Sequence, residues 1–295
     1  MTTEHIETHH KNSLFAYAVT GGTSELSPSA PVLFRGDIYD SIDQAVQIGF
    51  DSLEWHVRAA EDIDAAKLKE YCDRHNFRIA ALATGMANTM DQLTLIDEDS
   101  LRRQCAINRL IEIIDAASQL NCVVIIGYMR GNIPDFNEYE KYESLLMDSL
   151  RQVACHAESK NVMLVLEAIN RKEVNYLNGV KETTDLVKRL DHPNLKVHID
   201  TFHMDQEETD ILESIAYCGE HIGYVHYVDR HRRIPGEACI DFTQITQALI
   251  HAGYRGTISL EYPPYGDAYQ SAERGLSYVK TIEQQCRLDL QLGHE

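Results

Sequence analysis

The feature that most constrains the fold is a regular alternation of strand-like and helical segments along nearly all 295 residues. Short apolar runs bounded by turn residues predict strands, and eight such runs occur at 13–19, 52–57, 77–83, 122–127, 162–167, 195–200, 222–228 and 257–261. Apolar residues spaced three and four apart predict helices at 38–48, 65–75, 101–120, 139–159, 180–190, 207–217, 242–252 and 268–290. Eight strand–helix units that no long Pro- or Gly-rich linker divides predict an α/β protein, a single (β/α)8 TIM barrel.

The domain boundaries follow from the same pattern. Residues 1–12 precede the first apolar run and are predicted to be a flexible N-terminal tail, whereas residues 13–295 form the barrel domain. A doubly wound open sheet is the alternative fold, but the first strand does not lead into the Gly-x-Gly-x-x-Gly turn of dinucleotide-binding folds. The pair Gly21 and Gly22, which follows that strand, is interpreted as a simple turn.

The charge of the chain limits its partners. It carries 46 acidic and 27 basic residues, a formal net charge of −19, which disfavours binding to nucleic acid or to an anionic membrane surface. No apolar run approaches the roughly 20 residues that span a bilayer, and the N-terminus lacks the pattern of a signal peptide. The seven cysteines are scattered and form no C-x-x-C motif, which is typical of reduced thiols. We predict a cytoplasmic protein that binds neither nucleic acid nor a membrane.

Four residues of metal-binding type stand at the carboxyl ends of consecutive predicted strands. They are Glu167, Asp200, His226 and Glu261, each about one strand–helix unit from the next. In a closed parallel barrel these strand ends meet at one rim, so residues far apart in sequence come together. Three carboxylates and one imidazole form a hard oxygen and nitrogen set that suits a divalent ion such as Mn²⁺ or Mg²⁺. The sequence therefore predicts a metal site at this rim.

The residues around these strand ends form recognisable motifs. They are L-E-x-x-N-R ending at Arg171, D-T-F-H-M-x-x-E-E ending at Glu208, H-x-x-x-x-x-R-x-x-P-G ending at Gly236, and S-x-E ending at Glu261. Together they resemble the xylose-isomerase-like barrel superfamily, in particular its ketose 3-epimerase branch, which contains D-tagatose 3-epimerase. One departure is Ala238, where the relatives usually have a second glycine after Pro-Gly.

Motifs in the first half are similar to the sub-branch that contains 5-keto-L-gluconate epimerase. These motifs are F-R-G-D at 34–37, S-L-E-W at 52–55, A-T-G at 83–85, L-T-L at 93–95 and I-I-G-Y-M-R-G at 125–131. The resemblance therefore extends over nearly the whole chain. It implies a TIM-barrel enzyme that acts on a keto-sugar or a keto-sugar acid.

The resemblance also implies a role for each residue of the site. One divalent ion, usually Mn²⁺ with Mg²⁺, Co²⁺ or Zn²⁺ as alternatives, would be held by the four strand-end residues named above. Glu167 and Glu261 would also act as the acid/base pair, and His203, Arg232 and Glu173 would bind the substrate oxygens. Chemistry agrees with this assignment, because epimerisation removes a proton from one face and returns it on the other. A metal ion stabilises the intervening enediolate as a Lewis acid.

Arg130 follows the fourth predicted strand and is predicted to bind the substrate. Among the predicted substrate-binding residues, it is the one from which we infer the charge of the substrate. Its planar guanidinium suits a carboxylate or phosphate, so this residue favours an anionic substrate; the alternative is an ion pair with an acidic neighbour. Glu54 is expected to line the barrel interior or support the rim. His198 lies two residues before Asp200 and is interpreted as a polar core residue.

Several functions share this chemistry and stay open. A hydroxypyruvate-type, inosose-type or aldose–ketose isomerase returns the proton elsewhere, and an inosose-type dehydratase eliminates water from the same enediolate. An endonuclease IV-like metallonuclease is disfavoured by the net charge of −19 and by the single four-ligand set. A non-catalytic sugar-binding barrel is disfavoured because both carboxylates are present. The predicted partners are a small keto-sugar or keto-sugar acid and further copies of the chain, as a dimer or tetramer.

Overall fold

The computed structural model describes residues 13–292 and contains a closed barrel of eight parallel strands with helices between them. The strands are β1 Ala16–Gly22, β2 Phe34–Arg35, β3 Ser52–His56, β4 Arg78–Ala83, β5 Val123–Ile126, β6 Leu164–Glu167, β7 Leu195–Asp200, β8 Ile222–Tyr227 and β9 Thr257–Leu260. β2 extends only β1, and the barrel closes because β1 pairs with both β3 and β9. The prediction of a single TIM barrel is confirmed; the predicted tail at 1–12 lies outside the described residues.

The helices cover the outside of the barrel. They are α1 Ile38–Ile48, α2 Ala65–Arg74, α3 Gly85–Asp91, α4 Ser100–Leu120, α5 Tyr139–Ser159, α6 Val180–Leu190, α7 Thr201–Glu207, α8 Ile211–Cys218, α9 Phe242–His251 and α10 Ala268–Leu292. Many begin at an aspartate whose side chain accepts from the backbone of the first turn, as Asp37 does for α1 and Asp241 for α9. Within residues 13–292, no helix is both long and apolar enough to cross a membrane.

The predicted pattern lacks β2 and α3, and it was wrong in two further details. Gly21 and Gly22 do not form a turn but end β1, where they pair with β3. A Cβ on Gly21 would lie 2.8 Å from the Trp55 ring, so glycine is required there by close packing. The helix predicted at 207–217 corresponds to α8, which begins only at Ile211 because Asp210 caps its start, and the preceding helix α7 was not predicted.

A buried carboxylate lies at the amino-terminal end of β1, between this strand and α10. Glu283 of α10 accepts hydrogen bonds from Ser13 Oγ at 2.6 Å and from the Tyr17 hydroxyl at 2.9 Å. The backbone N–H of Leu14 donates to the other oxygen. These contacts join the first strand to the last helix.

Register brings functional residues together at the opposite end. Asp200 of β7 is aligned with His226 of β8, and Glu167 of β6 is aligned with His198 of β7. Aligned residues of paired strands project to the same side of the sheet. The strand-end side chains therefore point into the barrel at its carboxyl end.

Candidate active site

A cavity of about 550 Å³ opens at the carboxyl ends of the strands, a size typical of small-molecule sites. Its polar lining combines residues from both halves of the chain, including Glu54, His56, Glu173, His203, Arg232 and Glu261. Its apolar lining is formed by Leu26, Ala30, Pro31, Met86, Ile125 and Ile169. The cavity can therefore hold a small polar molecule with one less polar side.

Three of the four predicted metal ligands form a tight group. His226 Nδ1 lies 3.6 Å from Asp200 Oδ2 and 3.5 Å from Glu261 Oε2. Asp200 Oδ2 and His226 Nδ1 are buried without a hydrogen-bond partner among the described residues. Donor atoms around one divalent ion, each at about 2.0–2.6 Å, are themselves about 3–4 Å apart. The unpartnered atoms and their spacing fit a divalent cation.

Glu167, the fourth predicted ligand, joins this group from the side of β6. It could hold an ion together with Asp200 and His203, or with His198 and His226, since each set has donor atoms within 4.8 Å of one another. A Cβ on Gly127 would lie 2.7 Å from Glu167 Oε2. Glycine at that position therefore makes room for the carboxylate.

Glu54 fixes the orientation of His226, one of the predicted metal ligands. It is fully buried, and its Oε2 accepts from His226 Nε2 at 2.9 Å. With the proton on Nε2, the lone pair of Nδ1 points toward Asp200 and Glu261, which is the usual role of a carboxylate behind a metal-binding histidine. His198 is buried edge-on against the His226 ring, with ring centroids 4.1 Å apart.

The crowding of carboxylates alters their acidity. Burial and the neighbouring Glu261 raise the pKa of Glu167 to about 8. Burial acts in the same direction on Asp200, but His203, His226 and Arg232 outweigh it and lower the pKa of that carboxyl. A cation in the group would favour the ionised form of every carboxylate there.

Arg232 connects the group to the predicted substrate residues. Its guanidinium lies 2.9 Å from Glu261 Oε2 and 3.3 Å from Glu173 Oε1, and it stacks on the Phe202 ring at 4.0 Å. Its φ of 59° is in the left-handed region, a strained conformation that is concentrated at functional sites. The loop after β8 therefore holds the guanidinium over the cavity.

His203 and Glu173 share a hydrogen-bonding neighbour on the same wall. Asn170 Nδ2 lies 2.6 Å from His203 Nδ1 and 3.0 Å from Glu173 Oε1. Because the amide can only donate, His203 Nδ1 accepts and its Nε2 carries the proton. This N–H lies 3.7 Å from Glu167 Oε1, so His203 presents a donor to the cavity.

Arg130 does not reach the cavity. It is fully buried in the turn after β5, and its Nη1 donates to the carbonyl oxygens of Leu177 at 2.9 Å and Tyr176 at 3.4 Å. Its Nε donates to the Gly127 carbonyl at 3.3 Å, and burial lowers its pKa to about 10. These carbonyl acceptors direct the guanidinium into the protein, so its position gives no support to the predicted contact with a substrate anion.

Several cavity residues had not been predicted, and His56 and Tyr128 are the two whose contacts bear on the polar side of the site. His56 ends β3 on the same face as Glu54, two residues earlier, and Tyr128 donates from its hydroxyl to Glu173 Oε2 at 2.5 Å. The spacing of Glu54 and His56 is a usable signal, because alternate strand residues share a face. The segment that contributes the apolar wall at 26–31 carries no comparable signal, since its position depends on the closed barrel.

Comparison with known proteins agrees with the barrel fold. Residues 42–282 match the family described as xylose isomerase-like TIM barrel. D-psicose 3-epimerase of Ruminiclostridium cellulolyticum is 39% identical over 115 residues, which make up 39% of this chain and 39% of that protein. D-psicose 3-epimerase of Enterocloster bolteae is 27% identical over 230 residues, which make up 75% of each.

A solved structure supports the same fold. The crystal structure of D-allulose 3-epimerase from Methylomonas sp. in complex with D-allulose has a TM-score of 0.79 at 22% identity, and the match covers 92% of this chain and 98% of that one. The resemblance to ketose 3-epimerases predicted from the motifs is confirmed, as is the prediction of an enzyme of the isomerase class. The chain belongs to the xylose isomerase-like TIM barrel family.

Proposed function

We propose that the protein is a divalent-metal-dependent epimerase of a ketose or keto-sugar acid. The observation that carries the proposal is the placement of two glutamates around one metal-binding group. Glu167 from β6 and Glu261 after β9 flank Asp200 and His226 from the two intervening strands. Both glutamates line the same cavity.

The proposed cofactor is one Mn²⁺ ion held by Glu167, Asp200, His226 and Glu261. The unpartnered Asp200 Oδ2 and His226 Nδ1 support this choice, as does the oxygen-rich ligand set. When bound, the ion supplies Lewis-acid stabilisation of negative charge on the substrate oxygens. Glu54 contributes by holding the His226 ring in position through Nε2.

Proton transfer is assigned to the two glutamates. One carboxylate takes the proton from the carbon next to the ketone, and the electron pair of the broken C–H bond enters the enediolate. The other carboxylic acid then donates a proton to the opposite face of the same carbon, which inverts its configuration.

We assign the binding of the substrate oxygens to His203, Glu173 and Arg232. Among the described residues, Arg232 is the only arginine or lysine that lines the cavity. Glu261 and Glu173 already face it, so little positive charge remains for a carboxylate or phosphate. Within the proposed substrate class, the cavity favours a neutral ketose.

The direct test is proton exchange at the carbon next to the ketone. Metal-loaded protein would be incubated in D₂O with D-psicose, and NMR would follow both deuterium incorporation and the formation of an epimer. We expect exchange in the wild type and its loss in Glu167→Gln and Glu261→Gln. Glu213→Gln is a matched control, because Glu213 is exposed on α8 and pairs with Lys181.

The outcome separates the alternatives. Full exchange in both glutamate variants would contradict the two-base mechanism. An aldose product in place of an epimer would identify an isomerase, and loss of water would identify a dehydratase. Metal analysis would accompany each variant, with about one ion per chain expected in the wild type.

Self-association and a cytoplasmic location remain predictions. Leu101 at the start of α4 and Phe136 in the loop before α5 are large exposed apolar side chains, and such residues are commonly covered in oligomers. Light scattering coupled to gel filtration would distinguish a monomer from a dimer or tetramer.

A further inference from the structure

The wall of the cavity beside Glu261 contains two polar atoms that face each other without a hydrogen bond. Glu54 Oε1 and His56 Nε2 are 3.7 Å apart, and neither has a hydrogen-bond partner among residues 13–292. The other oxygen of Glu54 is occupied by His226 Nε2. Buried polar atoms of this kind normally have a partner, so the pair requires an explanation.

The position of the pair indicates that its partner comes from the cavity. Both residues line the cavity, and His56 Nε2 is also 3.7 Å from Glu261 Oε1. A separation of 3.7 Å is too long for a direct hydrogen bond. It does allow one oxygen atom to lie about 2.8 Å from each of the two atoms.

We propose that Glu54 and His56 form a subsite that binds one hydroxyl group of the sugar; this inference rests on the proposed function. The hydroxyl donates its hydrogen to Glu54 Oε1 and accepts the N–H of His56 Nε2. It lies next to Glu261 and therefore close to the reacting carbon. Glu54 thus contacts the metal-binding histidine with one oxygen and the substrate with the other.

The chemistry of the pair selects a hydroxyl over other groups. A carboxylate accepts hydrogen bonds and cannot donate to Glu54. Such a group would also be repelled by Glu54 and Glu261, which are both within reach of His56. A ketone oxygen has no hydrogen to donate. A hydroxyl combines a donor and an acceptor on one atom, which is what this pair requires.

The subsite is separate from the wall that carries His203, Glu173 and Arg232. Those residues follow β6, β7 and β8, whereas Glu54 and His56 belong to β3. The cavity thus has two polar walls, and a ketose that fits must present hydroxyls to both. A ketose that lacks the hydroxyl bound by Glu54 and His56 is expected to be a poor substrate.

The test is a double-mutant cycle in which one change removes a hydroxyl group from the substrate and the other removes the imidazole of His56 from the protein. Values of kcat/KM would be measured for D-psicose and its 1-, 4-, 5- and 6-deoxy analogues, with wild type and His56→Ala. We expect one analogue to be about 10- to 150-fold poorer than D-psicose with wild type, the range of a hydrogen bond to a charged group. In His56→Ala that difference should become smaller, because the bond to His56 is already missing and only the bond to Glu54 remains to be lost.

Two variants complete the design. His56→Gln keeps an N–H donor and should restore part of the discrimination, whereas His251→Ala removes an exposed histidine at the end of α9 and should leave it unchanged. Calorimetric Kd values of the same ligands with the metal-loaded proteins give a second readout that does not require turnover. If no ketose is turned over, the proposed function fails while the binding cycle still tests the subsite.

Three results would overturn the subsite. One is equal use and equal binding of all the analogues by the wild type. Another is a His56→Ala penalty that is the same for D-psicose and for every analogue. The third is a second equivalent of Mn²⁺ that is lost in His56→Ala, which would identify the pair as a cation site.

Discussion

Two aspartates at the carboxyl ends of neighbouring strands are equally buried and have opposite environments. Asp229, just after β8, accepts backbone N–H bonds from Arg230 at 2.8 Å, Gly236 at 3.0 Å, Ala238 at 2.9 Å and Ile240 at 3.1 Å. Both of its oxygens are satisfied by its own loop. Its role is to fold the segment that carries Arg232.

Asp200, at the end of β7, uses only one oxygen in this way. Its Oδ1 accepts from Phe202 N at 2.7 Å at the start of α7, while Oδ2 has no hydrogen-bond partner in the described part of the chain. Glu283 and Glu54 differ in the same way. The oxygens of Glu283 accept hydrogen bonds that join the first strand to the last helix, whereas Glu54 Oε1 has no hydrogen-bond partner among the described residues. Buried carboxylates with complete partners support the fold, and those with an unpartnered oxygen mark the site.

The largest expected effect is that of Asp200→Asn on activity. Loss of one anionic ligand should reduce metal binding and lower kcat/KM at least about a thousandfold, since the metal contributes several kcal/mol. Without metal, the free energy of unfolding should also fall, because Asn keeps the acceptor for Phe202 N but removes the negative charge that His203, His226 and Arg232 stabilise. Mn²⁺ should raise the Tm of the wild type and not that of the variant. An unchanged response of Tm to Mn²⁺ would remove Asp200 from the ligand set.

Asp229→Asn should lower the stability of the fold and leave metal binding intact, and its expected effect is smaller than that of Asp200→Asn on activity. The amide NH₂ would face two of the backbone N–H donors, leaving them unsatisfied at about 1–3 kcal/mol each. We expect the free energy of unfolding in urea to fall by about 2–6 kcal/mol. Stabilisation by Mn²⁺ should be retained in the folded fraction. If Asp229→Asn abolished metal binding without loss of stability, the distinction between the two aspartates would be wrong.

The carboxylates of the site were predictable because a barrel brings strand ends together whatever the intervening helices do. Glu167, Asp200 and His226 needed only the periodicity of the chain and their place at the end of a run. The structure explains why the loop after β8 can carry alanine at position 238, where the relatives usually have glycine. Ala238 donates its N–H to Asp229 and is absent from the positive-φ residues, so glycine is not required there.

Other features could not be predicted because they depend on where a side chain turns after the strand ends. Arg130 stands at the same rim as Glu167, yet the carbonyl oxygens of Leu177 and Tyr176 hold it inside the protein. Those acceptors lie more than 40 residues away in sequence. The apolar wall at 26–31 likewise becomes part of the site only through tertiary structure.

The smallest expected effect concerns substrate charge and Arg130. Arg130→Met would remove the guanidinium, keep an apolar side chain in the buried space and leave the cavity lining intact. KM would be measured for D-psicose and for a keto-sugar acid with both proteins. We expect the ratio of the two KM values to be unchanged, because Arg130 bonds carbonyl oxygens of its own chain. A selective rise of KM for the acid would show that the buried guanidinium acts on the substrate through its charge.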